Sequence, residues 1–554
     1  MRIRLLALSL TVAFLASSAA WGAKAPSPAA KAAPEKKAAP ASKSPPESKP
    51  APETKSPPAP PAEAKPPPEA KPPEPPKSPA EALRADLDRI FVDAGLAKTS
   101  VAVRILAAGE PGEVLYAVRP DQPMVPASTM KLVTTAACFD RLGPDWRIRT
   151  TVGHIPSAGT DARFDLAVIG GGDPNFSGRF WNGDIVGAFR RWADVLKARG
   201  LTVIGRVVLD DSLFDDIAQH PHWPPDQRAE WYEAPVSSLV LNDSCVEIHV
   251  SAGKVGEPAV VRVDPPGSGV EVDGTIVTVA EKGRHSFSIA RIPAAGPGAA
   301  TRLRLAGKFW SGASEAIEFR TVVSPTMFFG AALAEALRSE GITVAGPVVR
   351  EKLTDVDGRA RPDFETDIVH TSRLDATVAV ANKRSQGLYA ECMLKLLGAY
   401  AATPNAETPL PLHQGTWAAG AAEARRWMAE SGIPADGCVI DDGSGLSKEN
   451  RLTPLAVSEI LRQMLQRHGE RFVQTLAAAG QEGSLAKRMR GTPAEGRVFG
   501  KTGYVLGTSA LSGYVRAKSG RTIIFSVLMN DVPWGELWKA RTAQDKVCLR
   551  LVDY

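Results

Sequence analysis

The sequence predicts an α/β fold interrupted by a large, β-rich insertion of one or two domains. Three observations predict it. The ordered part opens with a helical period, a strand pair and an apolar helix. From about residue 148 it breaks into short alternating runs separated by Gly and Pro. It then returns to amphipathic helices, three strand-like runs and a last helix.

The elements follow in chain order. Arg2 and Arg4 precede an apolar run, Leu5 to Leu15, and then small residues from Ala16 to Gly22. Residues 1–23 read as a secretory signal peptide, too short to span a bilayer as a typical helix, with cleavage near Ala20 to Ala23. An exported protein, periplasmic or cell-wall associated, is expected. No cysteine marks the cleavage region as that of a lipoprotein.

Residues 24–80 are almost entirely Ala, Pro, Lys, Glu and Ser and hold 20 of the 46 prolines, so they form no core and act as an extended, disordered tether. The tether carries +4 and the leader +2; removing both from the net +5 leaves about −1 for residues 81–554. The basic balance belongs to the leader and tether, and no nucleic-acid partner is expected. The tether's charge suits a peripheral contact with an anionic wall polymer or membrane lipid; a solvated spacer explains the composition as well.

Residues 81–147 form the first part of the α/β domain. They contain a helix over 81–95, a strand from Ser100 to Ala107, a pairing strand from Val114 to Val118, and the apolar helix that begins at Ser128. Residues 148–322 form the insertion, with strands over 148–154, 166–170, 203–209, 245–251, 259–263, 269–280, 286–292 and 301–308 and a helix over 185–199. Residues 323–554 form the second part, with helices over 323–341, 374–402, 417–432 and 453–468. Thr453-Pro454 is a strong helix start, a capping residue followed by proline at the first position. Strands over 498–504, 510–518 and 522–530 and a helix over 534–551 end the chain.

The five cysteines, Cys138, Cys245, Cys392, Cys438 and Cys548, form no Cys-x-x-Cys pair; Cys138 and Cys392 fall in helices and read as buried thiols rather than a disulfide framework. The eight histidines show no metal-ligand spacing, and the closest pair, His220-Pro-His222, sits in a proline-rich stretch that reads as a loop.

Ser128-Thr-Met-Lys131 carries the first chemical signal. Residues three apart on a helix share a face, so the Lys131 amine reaches the Ser128 hydroxyl. Burial disfavours the ammonium, and a neutral amine can take the serine proton. About two such spacings are expected by chance in a chain this long, and there are three. Ser251/Lys254 reads as a hairpin turn and Ser484/Lys487 as a solvated basic helix face, which leaves Ser128/Lys131 at the head of an apolar helix. Two further clusters accompany it: Ser385-Gln-Gly387 at a helix start, and Lys501-Thr502-Gly503-Tyr504 on a strand.

This order of Ser-x-x-Lys, a Ser-x-Asn-type motif and Lys-Thr-Gly is that of penicillin-binding proteins and class A β-lactamases. The chain resembles the D-alanyl-D-alanine carboxypeptidase/endopeptidase family of class C low-molecular-mass penicillin-binding proteins, the S13 peptidase type, over roughly residues 84–554. Gly170-Gly-Gly-Asp173-Pro174, Asp211-Ser212, Trp231-Tyr232 through Asn242, and Asp442-Gly-Ser-Gly with Asn450-Arg-Leu-Thr-Pro454 carry the resemblance further. The 257-residue step from Ser128 to Ser385 separates this type from compact β-lactamases.

The resemblance implies a transpeptidase-like domain, an antiparallel sheet with flanking helices. It implies a serine DD-carboxypeptidase/DD-endopeptidase acting on D-Ala-containing peptidoglycan stem peptides or cross-links, inhibited by β-lactam antibiotics, with no metal or cofactor. Ser128 is then the nucleophile, Lys131 its base and Ser385 a proton relay. Lys501 and Thr502 bind the substrate carboxylate, with Gly503 and Tyr504 beside them. The backbone N–H groups of Ser128 and Tyr504 form the oxyanion site.

Two positions depart from the family pattern. Gly387 stands where the second motif has asparagine, and helix geometry turns Gln386 about 100° away from that place. Tyr504 stands where a small hydroxylic residue is usual. A weakened or inactive peptidoglycan-binding homologue is therefore an alternative, and a β-lactamase another, although no glutamate is placed for rapid deacylation. Asp173-Pro174 reads as a structural turn, and Trp231 and Tyr232 as core.

Overall fold

The computed structural model describes residues 78–554 except 110–111, 158–161, 295, 297, 356–357 and 401–413. The expected signal peptide and all but the last three residues of the expected tether lie outside the described residues. Described structure begins with the helix Pro79–Asp93, whose N-terminus is closed by a reciprocal bond pair between Ser78 and Glu81.

The two ends of the chain build one sheet. Its six antiparallel strands run in the order Ala477–Ala478, Val498–Val505, Thr508–Arg516, Thr522–Asn530, Ser100–Ala107 and Val114–Val118. Val103 pairs with Val527 and Ile105 with Phe525, so the first long strand locks onto the last. One face is buried beneath Pro79–Asp93 and Leu537–Val552 through Leu83, Leu87, Val547 and Leu551. The opposite face meets Lys131–Arg141 and Pro454–His468 in a second core. Leu132, Val133, Ala136, Ala137, Cys138 and Phe139 are all fully buried, as a helix that is apolar all round must be. Thr453 caps the Ala456 N–H ahead of Pro454, as its sequence signals.

The middle of the chain forms a second six-stranded sheet and two three-stranded ones. The second sheet runs Thr343–Val344, Val203–Asp210, Phe164–Ile169, Arg147–Pro156, Glu365–Arg373, with Val348–Arg350 also on Val203–Asp210. Gly187–Ala198 and Pro325–Ser339 cover it through Phe189, Trp192, Phe329 and Leu333. The smaller sheets are Val270–Val279, Thr301–Trp310, Ser286–Arg291 and Ala316–Thr321, Cys245–Ser251, Val260–Asp264. The sequence places the return to the first layer at residue 323. Strand pairing keeps 343–373 in the second sheet instead, because Glu365–Arg373 adds to the edge of Arg147–Pro156.

One other local reading changes and one holds. The helix expected over 374–402 is two, Leu374–Lys383 and Gly387–Tyr400, broken where Ser385 takes φ 59°. Ser251 and Lys254 do flank a hairpin, between Cys245–Ser251 and Val260–Asp264. The five cysteines are all free thiols.

Candidate active site

Ser128 lies in a 3₁₀ turn, Ala127–Met130, immediately before the helix Lys131–Arg141. The preceding Ala127 adopts φ 46°, a left-handed conformation costly for any residue with a Cβ. Two glycines let the surroundings close on this turn. A Cβ on Gly503 would lie 2.7 Å from the Pro126 carbonyl oxygen and 3.2 Å from the Thr129 nitrogen. One on Gly445 would lie 1.8 Å from the Ala127 carbonyl oxygen. The Lys-Thr-Gly strand and the 442–447 loop therefore grip the turn from both sides, and only glycine permits either approach.

The Lys131 amine sits 3.1 Å from Ser128 Oγ and donates to the Ser444 carbonyl at 2.7 Å. It is buried, and burial lowers its pKa to about 8, against the opposing charges of Glu391 and Asp442. Those carboxylates shape the loop. Glu391 accepts from the N–H groups of Gly443 and Ser444 at 2.9 and 2.7 Å and from Trp417 Nε1 at 2.7 Å. Asp442 accepts from the N–H groups of Gly445 and Ser447, from Asn450 Nδ2 and from Trp223 Nε1. Burial, then Asp442, raises the Glu391 pKa to about 7.

Lys501 is fully buried and donates to Ser385 Oγ at 2.8 Å and to the Thr502 carbonyl at 2.7 Å. Burial foremost, then the charge of Lys131, depresses its pKa well below the ordinary value. Thr502 Oγ1 donates to Ser484 Oγ at 2.9 Å. The Tyr504 ring stands half-exposed at the rim, with the Arg541 guanidinium 5.6 Å from its centroid.

The structure thus joins Ser128 to Lys131 and Ser385 to Lys501, sets Gly503 against the Ser128 turn, and leaves Tyr504 at the edge. Gly387 opens its helix with space beside it: a Cβ there would meet the Tyr232 carbonyl oxygen at 3.4 Å and Ser444 Oγ at 4.0 Å. Gln386 does not take that place; its amide is bonded to the Asp243 carboxylate, which also pairs with Arg179.

Sequence reasoning missed three features. Ser484 is exposed as expected, but on a 3₁₀ turn rather than a helix face, and its Oγ accepts from Thr502 Oγ1. Glu391 stands in a helix whose neighbours Leu388, Tyr389, Ala390, Cys392, Met393 and Leu394 are all apolar, and an acid so surrounded was a readable signal of a buried partner. Trp231 is 44% exposed rather than core, and Tyr232 presents its carbonyl beside Gly387.

Comparison with known proteins shows the family. Residues 83–550 match the model of the D-Ala-D-Ala carboxypeptidase 3 (S13) family. The chain is 31% identical over 487 residues to a D-alanyl-D-alanine carboxypeptidase of Actinomadura sp. (strain R39), covering 85% of each. It is 26% identical over 423 residues to carboxypeptidase DacB of Mycolicibacterium smegmatis, covering 74% of this chain and 72% of that one. In fold it matches penicillin-binding protein 4 of Haemophilus influenzae with a TM-score of 0.68 at 19% identity, over 85% of this chain and 99% of that one. The chain belongs to the D-Ala-D-Ala carboxypeptidase 3 (S13) family, a family of serine-type D-Ala-D-Ala carboxypeptidases.

Proposed function

We propose that the protein cleaves D-Ala-containing peptidoglycan stem peptides or cross-links through an acyl-enzyme on Ser128. The observation that carries this reading is the buried Lys131 amine, 3.1 Å from Ser128 Oγ with a pKa near 8. In its neutral form it accepts the Ser128 proton as Oγ attacks the penultimate D-Ala carbonyl. The Oγ–C bond forms, the C–N bond breaks, and the proton passes through Ser385 to the departing D-Ala amine. Water then hydrolyses the ester. Lys501 and Thr502 hold the terminal carboxylate; the two oxygens that Lys501 contacts are neutral, so its charge is left for an anion. The backbone N–H groups of Ser128 and Tyr504 receive the developing oxyanion.

β-Lactams acylate the same serine in this reading; a relative in fold, the Haemophilus influenzae protein, has been solved with a β-lactam bound. The expected leader places the enzyme outside the cytoplasmic membrane, where its substrate lies, and the basic tether gives it reach or a wall contact. Among the described residues no helix is long and apolar enough to cross a membrane.

A second reading, a homologue that binds wall peptides with little turnover, is favoured by one observation: Gly387 offers no side chain to the substrate amide. One experiment separates the readings. The purified chain is treated with a labelled penicillin and separately with a stem pentapeptide. Adduct on Ser128 together with D-Ala release supports the enzyme, adduct without release supports the weakened homologue, and adduct that survives Ser128→Ala contradicts both.

A further inference from the structure

His220, His222 and Asp441 come together from segments more than 200 residues apart, although no sequence spacing announces them. Their ligand atoms all lie within 4.8 Å of one another. His222 Nδ1 is 3.0 Å from Asp441 Oδ2, and His220 Nδ1 is 3.7 Å from the same oxygen. Donors on a tetrahedral zinc ion, at about 2.0–2.2 Å from the metal, lie roughly 3.3 Å apart. The cluster is therefore already close to that spacing.

Its supports are fixed. The His220 ring is buried and packs edge-on against Trp417 at 5.1 Å. Ser447 Oγ donates to Asp441 Oδ2 at 2.5 Å, and Asn450 Oδ1 accepts from the Asp441 N–H at 2.8 Å. Such outer bonds orient a carboxylate ligand. Trp223 Nε1 donates to Asp442 at 2.9 Å, so the two segments are pinned together one residue from the cluster on each side. An ion would replace two contacts, the His222 N–H to His220 Nδ1 at 3.3 Å and the bond between His222 Nδ1 and Asp441 Oδ2 at 3.0 Å. His222 itself is half-exposed, which gives an ion a path in.

We propose that His220, His222 and Asp441 bind one zinc-class divalent ion, with water in the fourth position. Two imidazoles and one carboxylate suit zinc and its neighbours rather than magnesium or calcium. The ion clips the 218–223 segment to the loop whose Ser444 carbonyl holds Lys131. None of the three residues takes part in the proposed reaction, so the proposal stands whichever of the readings above holds.

The test uses the untagged full chain, freed of metal with a chelator, then given zinc chloride or magnesium chloride and desalted. Metal content is read by mass spectrometry and unfolding by a thermal scan. The expected result is one zinc retained per chain and a raised unfolding midpoint, with no effect of magnesium. His222→Ala and, separately, Asp441→Asn lose the retained zinc and the shift, while His249→Ala keeps both. Penicillin labelling of metal-free His222→Ala at the wild-type level shows that this variant is folded. Absence of retained zinc in the wild type, or equal retention in His222→Ala and Asp441→Asn, overturns the proposal and leaves the His222–Asp441 contact as an ordinary ion pair.

Discussion

Lys131 and the Lys501 strand both lie against the Ser128 turn, and both lysines are buried, yet their surroundings differ in kind. Lys131 has two carboxylates, Glu391 and Asp442, acting on it from the loop and helix behind. Lys501 has hydroxyl and carbonyl oxygens as its hydrogen-bond partners, and the charge acting on it is another cation, Lys131. Burial alone disfavours both ammonium ions. The carboxylates hold Lys131 near the point where it exchanges a proton around neutral pH, as a base must. Lys501 lacks that compensation, which a substrate carboxylate would supply on the proposed reading. On the proposed reading, one amine is set by the protein to move a proton and the other is completed by its ligand.

The largest expected effect breaks the first half of this contrast. Lys131→Met removes the base and lowers the rate of acylation by about 10²–10⁴-fold. The same variant changes the pH dependence of stability. Lys131 has a folded pKa of about 8 against an ordinary 10.5. Between these values the unfolded chain binds more protons, so this group makes stability rise as pH climbs through the window, and its penalty is full below about 8. Denaturant unfolding at a series of pH values shows that rise in the wild type and a smaller one in Lys131→Met, where the depressed Lys501 still contributes.

Lys501→Ala breaks the second half. It lowers kcat/KM by about 10²–10³-fold for a peptide ending in a free carboxylate, as loss of one positioned charge does. A peptide capped as its amide loses far less, and equal losses for both contradict the assignment of Lys501 to the carboxylate.

Glu391→Gln sharpens the comparison by making Lys131 more like Lys501. With one opposing charge gone, the acylation profile shifts to a midpoint below about 8. Stability falls by about 1–3 kcal/mol because the bonds to Gly443 and Ser444 weaken. The smallest change is Gly387→Asn. Its Cβ meets nothing nearer than 3.4 Å, so the unfolding midpoint moves little while D-Ala release rises. A large loss of stability shows instead that the space is closed.

Much of this was legible in the sequence. The strand runs from Ile148 to Lys308 were marked by alternation and by Gly and Pro between them, and they pair as strands. Ser128 and Lys131 were marked by spacing at the head of an apolar helix. What was hidden depends on contacts made across the chain. The strand Glu365–Arg373 belongs to the second sheet because its partner is Arg147–Pro156, more than 200 residues earlier, and no local pattern names a partner. Ser484 is exposed, as Lys487, Arg488 and Arg490 after it suggest, but its bond to Thr502 has no local signal in the sequence. The break at Ser385 follows from tertiary demand, since a left-handed serine is not favoured by its own residue type.

The most direct test is the pH dependence of Ser128 acylation by a labelled penicillin, followed by intact-mass spectrometry in the wild type and in Glu391→Gln. The account predicts a rate that rises through a midpoint near pH 8 in the wild type and at lower pH in the variant. A rate indifferent to pH across that range, or the same midpoint in both proteins, contradicts the assignment of Lys131 as the base.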